Sequence, residues 1–388
     1  MKFKSCHSYH QKTNKGILPV VWIILLSTIY ILDISIVMAD DKYKLGGRLF
    51  LDGGVFISSP ERFRPNVNIP DLRLTGKADF GKGWYTKLDV GFAGNKIKLK
   101  DAFLQKTNNE HMIRAGYMIG MFSLDQSSST NDYLFMTGAN VAETFYPDRR
   151  IGISYTYSNK KLYFSGGVFC GDDINLTQEI KPGTNVTLRI AYRPINDSHT
   201  LFHIGTGGLY KHPNTNTKTG EQTIHLSSKG CTYLPVPDVF DATITNSKVQ
   251  YQWNIETILY HYRFFMQGEI MGMLIKRKDI PHYNAHGGYI EGGYFICGKK
   301  LGYDQRDALP TCTDDANSIA IFARVNRTNL NDSNLKNGTL TDFSIGLNWY
   351  INEHIIFRLN YSNIKTDLYA KIPESTYNLL QSRIQVKF

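Results

Sequence analysis

The chain has 388 residues, carries a formal net charge of +10 and is 13% aromatic, with 24 Tyr and 33 Gly. Mean hydropathy is −0.29, and no long apolar run occurs beyond the first forty residues. These values exclude a bundle of spanning helices, which needs runs of ~20 apolar residues. They do not exclude a membrane barrel, where only alternate residues face lipid.

Residues 1–39 read as a sorting signal. Lys2, Lys4, Lys12 and Lys15 form a positive leader, and Ile17 to Leu32 is an apolar stretch, shorter than a spanning helix wants. Val37-Met38-Ala39 then offers small residues for cleavage before Asp40. Cys6 precedes the apolar stretch and is no lipoprotein cysteine. Removing residues 1–39 takes away four Lys and one Asp, so +10 becomes about +7. A basic exported chain points to anionic partners or solutes, and no nucleic-acid partner is expected.

From Asp40 to the end the chain reads as one all-β domain of segments of about ten residues with period-two alternation. Tyr43, Leu45, Leu49 and Leu51 oppose Lys44, Arg48 and Asp52; Leu72, Leu74, Ala78 and Phe80 oppose Arg73, Thr75, Lys77 and Asp79. Leu88, Val90 and Phe92 oppose Lys87 and Asp89, whereas Ile97 to Gln105 alternates poorly and is a strand by spacing alone. Ile113, Ala115, Tyr117 and Ile119 oppose Arg114, and Val186, Leu188, Ile190 and Tyr192 oppose Arg189 and Arg193. Leu162 to Phe169 and Leu201 to Leu209 are glycine-rich. Later, Ile319, Ile321, Ala323 and Val325 oppose Arg324, and Phe343 to Ile351 pairs with Ile355 to Tyr361 across Asn352-Glu353-His354, with Arg358 on the polar face.

The tally is sixteen strands, the even number a closed bacterial barrel requires. Long connections (57–68, 120–149, 170–185, 210–247 and 276–286) alternate with tight ones such as Gly81-Lys82-Gly83. Residues 298–317 are the exception, long where parity wants a short turn. In the last strand Leu380, Ile384 and Val386 alternate with Arg383, Gln385 and Lys387 up to Phe388. A closing strand leaves no backbone edge unpaired in lipid, and Phe388 is read as the signal for the barrel assembly machinery. The expected fold is a transmembrane antiparallel β-barrel of about sixteen strands in the bacterial outer membrane, in contact with its lipid.

Several segments also resemble the phosphate-selective porins O and P. They are Arg48-Leu49-Phe50-Leu51-Asp52, Leu99-Lys100-Asp101-Ala102-Phe103, Gly120 to Ser128, Phe145 to Gly152, Gly292-Gly293-Tyr294-Phe295, Phe322 to Asn326 and Gly346 to Tyr350, in the same order along the chain. The resemblance implies a homotrimeric, sixteen-stranded porin whose third loop, here residues 120–149, folds inward as a constriction. It implies passive diffusion of small hydrophilic solutes with a preference for phosphate-type anions.

The expected constriction residues are Asp125, Asp132, Tyr133, Phe135 and Glu143; Phe122 to Asp148 holds no Lys or Arg, unlike the anion-selective members of that family. The barrel wall supplies the positive charge instead. Arg48, Arg73, Lys77, Lys87, Arg114, Arg189, Arg193, Arg324, Arg358 and Arg383 all fall on inward faces, and in a channel about a Debye length (~8 Å) wide such charges are not screened away and bias ion entry. Two readings stay open: these cations meet permeating anions, or they pair with Asp52, Asp79, Asp89, Glu256 and Glu269.

Other signals point away from chemistry. His282 and His286 have helical i, i+4 spacing, but Pro281 and Gly287-Gly288 place them in a loop, so no metal site is expected. Nucleophile elbow, phosphate loop and HExxH helix are all missing from the sequence, so neither an enzyme nor a cofactor is expected. Cys297 and Cys312 bracket one connection, which leaves a disulfide between them open. The competing function is a non-conducting surface-binding or adhesion barrel that acts through its long 210–247 loop.

Overall fold

The computed structural model describes residues 42–57, 63–145, 149–170, 180–298, 301–313 and 315–388; the leader 1–39 and Asp148 lie outside them. Sixteen strands close into one antiparallel barrel. They are β1 (Tyr43–Ile57), β2 (Asn66–Gly81), β3 (Trp84–Gly91), β4 (Lys98–Asn108), β5 (His111–Ile119) and β6 (Arg149–Ser158). Then follow β7 (Leu162–Cys170), β8 (Thr184–Asn196), β9 (Thr200–His212), β10 (Ser247–His261) and β11 (Phe264–Arg277). The last five are β12 (Tyr283–Cys297), β13 (Ser318–Asn329), β14 (Thr339–Tyr350), β15 (Ile355–Thr366) and β16 (Thr376–Lys387).

The alternation in the sequence is the alternation of inside and outside. Ile151, Ile153 and Tyr155 are outward and exposed, as are Leu188, Ile190 and Tyr192, while Arg189 and Arg193 between them are buried inside. A continuous apolar outer wall is stable only against another apolar phase. Among the described residues no helix is long and apolar enough to cross a membrane; crossing here belongs to strands.

Closure is made by β1, which pairs with both β2 and β16. Phe388 continues that seam: the Gly47 N–H donates to its carbonyl at 2.8 Å, and its own N–H donates to Gly47 O at 3.1 Å. These bonds carry the closing ladder on to the end of the chain, so the backbone groups at that seam find partners without water. The weak alternation of β4 has a local cause, a register shift between Leu88 and Val90 in its pairing with β3, which re-aims the side chains that follow.

Because the strands alternate in direction, the connections fall at two ends. One end carries short turns, for example Gly81-Lys82-Gly83, where Gly81 (φ 75°) and Gly83 (φ 79°) take the left-handed conformation. The other carries the long loops. Residues 298–317 leave from the short-turn end and form a small hairpin, Gly302–Asp304 with Leu309–Thr311. Parity was therefore kept, and the odd loop is an insertion into the lumen rather than a miscounted strand.

A candidate solute pathway through the barrel

Three loops fold into the barrel and leave the lumen open on one side. The first is residues 120–145, with two short helical turns, α1 (Leu124–Ser127) and α2 (Asn140–Thr144). The wall grips it by its backbone. Glu269 accepts the N–H groups of Leu124 (2.8 Å) and Asp125 (2.9 Å). Arg358 donates to the carbonyls of Asn131 (2.9 Å), Leu134 (3.1 Å) and Phe135 (3.3 Å), and Arg324 donates to Thr137 O at 3.1 Å. Buried charges gain most when every lone pair and proton is used. Glycine-rich β9 admits this loop: a Cβ at Gly207 would overlap the Phe122 carbonyl.

The second loop, between β9 and β10, carries a hairpin of Ile224–Ser228 with Phe240–Ile244. Its apolar side, with Leu226, Leu234 and Phe240, is buried. Gln381 donates to Cys231 O at 2.6 Å, and Tyr233 hydrogen-bonds Glu143 of the first loop. The adhesion reading expected this loop to be an outer contact surface, but residues 231–234 are turned inward. The third loop, 301–313, is held by Arg189, which donates to Asp307 O (3.0 Å) and Ala308 O (2.8 Å), and by Arg193, which donates to Gln305 O (2.8 Å).

The ten basic wall residues consequently separate into two groups. Arg189, Arg193, Arg324, Arg358 and Arg383 point inward as their alternation requires, but are buried beneath the loops and do not border the open space. Arg189, Arg193, Arg324 and Arg358 act as loop anchors and Arg383 holds the seam, and sequence alternation cannot tell such roles from a pore wall because all face inside. Arg383 is bidentate to Asp52 (2.7 and 2.7 Å), and Arg189 pairs with Glu256 at 2.7 Å. Arg48, Arg73, Lys77, Lys87 and Arg114 border a central cavity of about 630 Å³. Lys100 and Arg149 join them there; neither was among the residues expected from sequence, since Lys100 stands where the register of β4 shifts and Arg149 shares the parity of outward Ile151 and Ile153.

The remaining carboxylates have defined places. Asp71 bridges Arg48 (2.6 Å) and Arg73 (2.8 Å), and Asp89 pairs with Arg73 at 3.0 Å. Asp101 joins Lys87 (2.7 Å) to Arg149 (2.9 Å), and Asp307 meets Arg114 at 3.0 Å. Asp79, expected as an inner partner, instead accepts the Gly81 N–H in a turn. Lys77 and Lys100 have no ion-pair partner among the described residues.

The acidic constriction residues are turned to structural use. Asp125 accepts the Ala139 N–H (3.0 Å), Asp132 that of Cys312 (2.9 Å) and Glu143 that of Gly138 (3.1 Å). Burial within the loop pushes all three carboxyl groups above their ordinary range. Tyr133 borders the cavity and donates to Asp125 O at 3.2 Å. Phe135 faces the wall, edge-on to Phe322 at 4.8 Å and beneath Arg324 at 4.3 Å.

The central cavity continues past Arg73, Lys100, Thr130 and Tyr233 into a space of about 390 Å³ on the long-loop side, bordered by Lys98 and Lys229. A third space of about 240 Å³, at Asn109, Glu110, Lys160 and Arg306, lies on the short-turn side. Among the described residues no cluster of His, Cys, Asp and Glu is suited to a metal ion, and Cys170, Cys231, Cys297 and Cys312 are all free thiols.

Known proteins of this architecture agree in fold. An outer-membrane protein of Vibrio cholerae, OmpT, superposes with a TM-score of 0.59 at 10% identity, over 89% of this chain and 97% of its own. An anion-selective porin from Comamonas acidovorans superposes at 0.55 and 10% identity, over 89% and 99%. An uncharacterized protein of Caulobacter vibrioides is 23% identical over 350 residues, 83% of this chain and 68% of that protein. The family model for phosphate-selective porin O and P matches residues 44–388, and the chain belongs to that family of bacterial outer-membrane porins.

Proposed function

We propose that the protein is a passive channel for small hydrophilic solutes with a preference for anions, phosphate-type anions included. The observation that carries this reading is the composition of the open space. Seven cations, Arg48, Arg73, Lys77, Lys87, Lys100, Arg114 and Arg149, border one cavity with six carboxylates; of these Asp125, Asp132 and Glu143 accept backbone N–H groups, Asp101 and Asp307 pair with wall cations, and Lys77 and Lys100 have no ion-pair partner among the described residues. In a narrow, low-dielectric passage such an imbalance raises anion entry and repels cations. Lys98 and Lys229 extend the positive lining outward.

The same reading makes residues 1–39 a cleaved signal, directs the long loops outward, and gives Phe388 the role of assembly signal at the closing seam. It also includes a homotrimer. The porin family supports a channel rather than an enzyme, and the 231–234 segment of the 210–247 loop is turned inward, away from the contact surface that the adhesion reading needs.

The test is single-channel current from refolded protein in a planar bilayer under a KCl gradient, with phosphate then added. The expected reversal potential favours chloride, and phosphate blocks the chloride current. Open channels that favour potassium would refute the anion preference, and a refolded barrel with no conductance would refute the channel.

A further inference from the structure

At the long-loop end of the barrel the outward cations of the described strands cluster on one arc. On β11 the outward positions Ile270 and Leu274 lead to Lys276; on β13, Ile321 and Val325 lead to Arg327; on β15, Leu359 and Tyr361 lead past Asn363 to Lys365. Each cation is exposed and sits where its strand leaves the apolar belt at the long-loop end. Outward His286 of β12 lies between the first two strands, one alternation short of Gly288, which pairs with Arg327. Thr341 of β14 pairs with both Arg327 and Lys365, so those two cations stand two strands, roughly 10 Å, apart.

None of Lys276, Arg327 and Lys365 has a carboxylate partner among the described residues. The nearby rim carboxylates Asp332 and Asp367 are taken by Asn284 and Asn331. Lys276 lies over the Tyr251 ring, 5.4 Å from its centroid, which keeps its stem along the apolar wall. On the opposite arc the described outward ends of β1, β2 and β7 are Ile57, Val67 and Cys170, with Phe92 just beyond β3, all uncharged.

Unpartnered cations at the edge of a lipid-facing wall are stable only if they reach water or an anionic head group, and several on alternate strands of one arc favour the head group. We propose that the β11–β15 rim is a binding surface for the phosphate groups of an outer-leaflet lipid. This rests on the outer-membrane porin reading but uses none of the lumen.

Native mass spectrometry of the refolded full barrel with diphosphoryl lipid A, and with its dephosphorylated counterpart, tests the assignment. The native chain retains the diphosphoryl form selectively. The triple variant Lys276→Gln, Arg327→Gln, Lys365→Gln loses about a hundredfold in affinity for it, roughly fivefold for each cation. Equal retention of the two lipids, or equal retention by the variant, overturns the proposal. Conductance and heat-modifiable gel migration of the variant stay as in the native chain, which shows that the loss is not misfolding. A native chain that binds lipid A selectively but does not conduct would count against the channel and not against this surface.

Discussion

Asp132 accepts the backbone N–H of Cys312 at 2.9 Å, and the Cys312 thiol donates to Asn131 O at 3.0 Å. The two residues come from loops rooted at opposite ends of the barrel, so this contact joins two insertions inside the lumen. Replacing Asp132 with Ala removes the acceptor, worth about 1–3 kcal/mol when the donor is left buried. Single-channel recordings of Asp132→Ala are expected to show higher open-state noise and larger conductance, with Asp132→Asn close to native. Unchanged noise would mean that the grip of Arg189 and Arg193 on residues 305–308 is sufficient.

Asp101 holds two of the cavity cations, Lys87 and Arg149. Asp101→Asn keeps the shape and frees both, so the anion-to-cation permeability ratio should rise by about twofold or more. Lys100→Glu places an acid beside Arg73 in the same cavity and should lower that ratio. Reversal potentials under a KCl gradient decide both; movement in the opposite direction would assign selectivity to the loop acids.

The seam depends on an ion pair as well as on its ladder. Arg383 and Asp52 are nearly fully enclosed, and Arg383 stacks over Phe50 at 4.5 Å. Asp52→Ala leaves a buried guanidinium without its partner, a loss of about 3–5 kcal/mol. The folded gel band should then convert to the unfolded one at a clearly lower temperature. The double variant Asp52→Leu, Arg383→Met should recover much of that loss, and no recovery would mean that the pair does more than neutralise itself.

Thiol reactivity reports loop packing. Burial pushes the Cys231 and Cys312 thiols up to about 12, so both stay protonated at pH 8, where only thiolates react quickly. In the mature folded barrel a maleimide should label Cys170 and Cys297, and all four only after unfolding. Labelling of Cys312 in the folded state would show that the 301–313 hairpin leaves the lumen.

The barrel was legible because a wall between lipid and water imposes a period of two on every strand. Ile151, Ile153 and Tyr155 announce an outward face without knowledge of any neighbour. Lys100 and Arg149 were missed for the converse reason: Lys100 stands where the alternation of β4 is disturbed, and Arg149 has the parity of outward Ile151 and Ile153, so nothing in either segment shows that the side chain reaches the cavity. The glycines of Leu201 to Leu209 were visible, yet their purpose at Gly207 depends on Phe122, some eighty positions away in the chain.

The sequence by itself determined the strand number, the inward and outward faces and the closing seam, since each follows from local periodicity. Only the tertiary structure decided which inward arginines border the passage and which fasten a loop. Arg114 and Arg189 look alike in alternation, but one faces open space and the other lies beneath the Asp307 and Ala308 carbonyls. That difference is set by where three distant loops come to rest, and burial against a distant segment leaves no periodic trace in the strand that receives it.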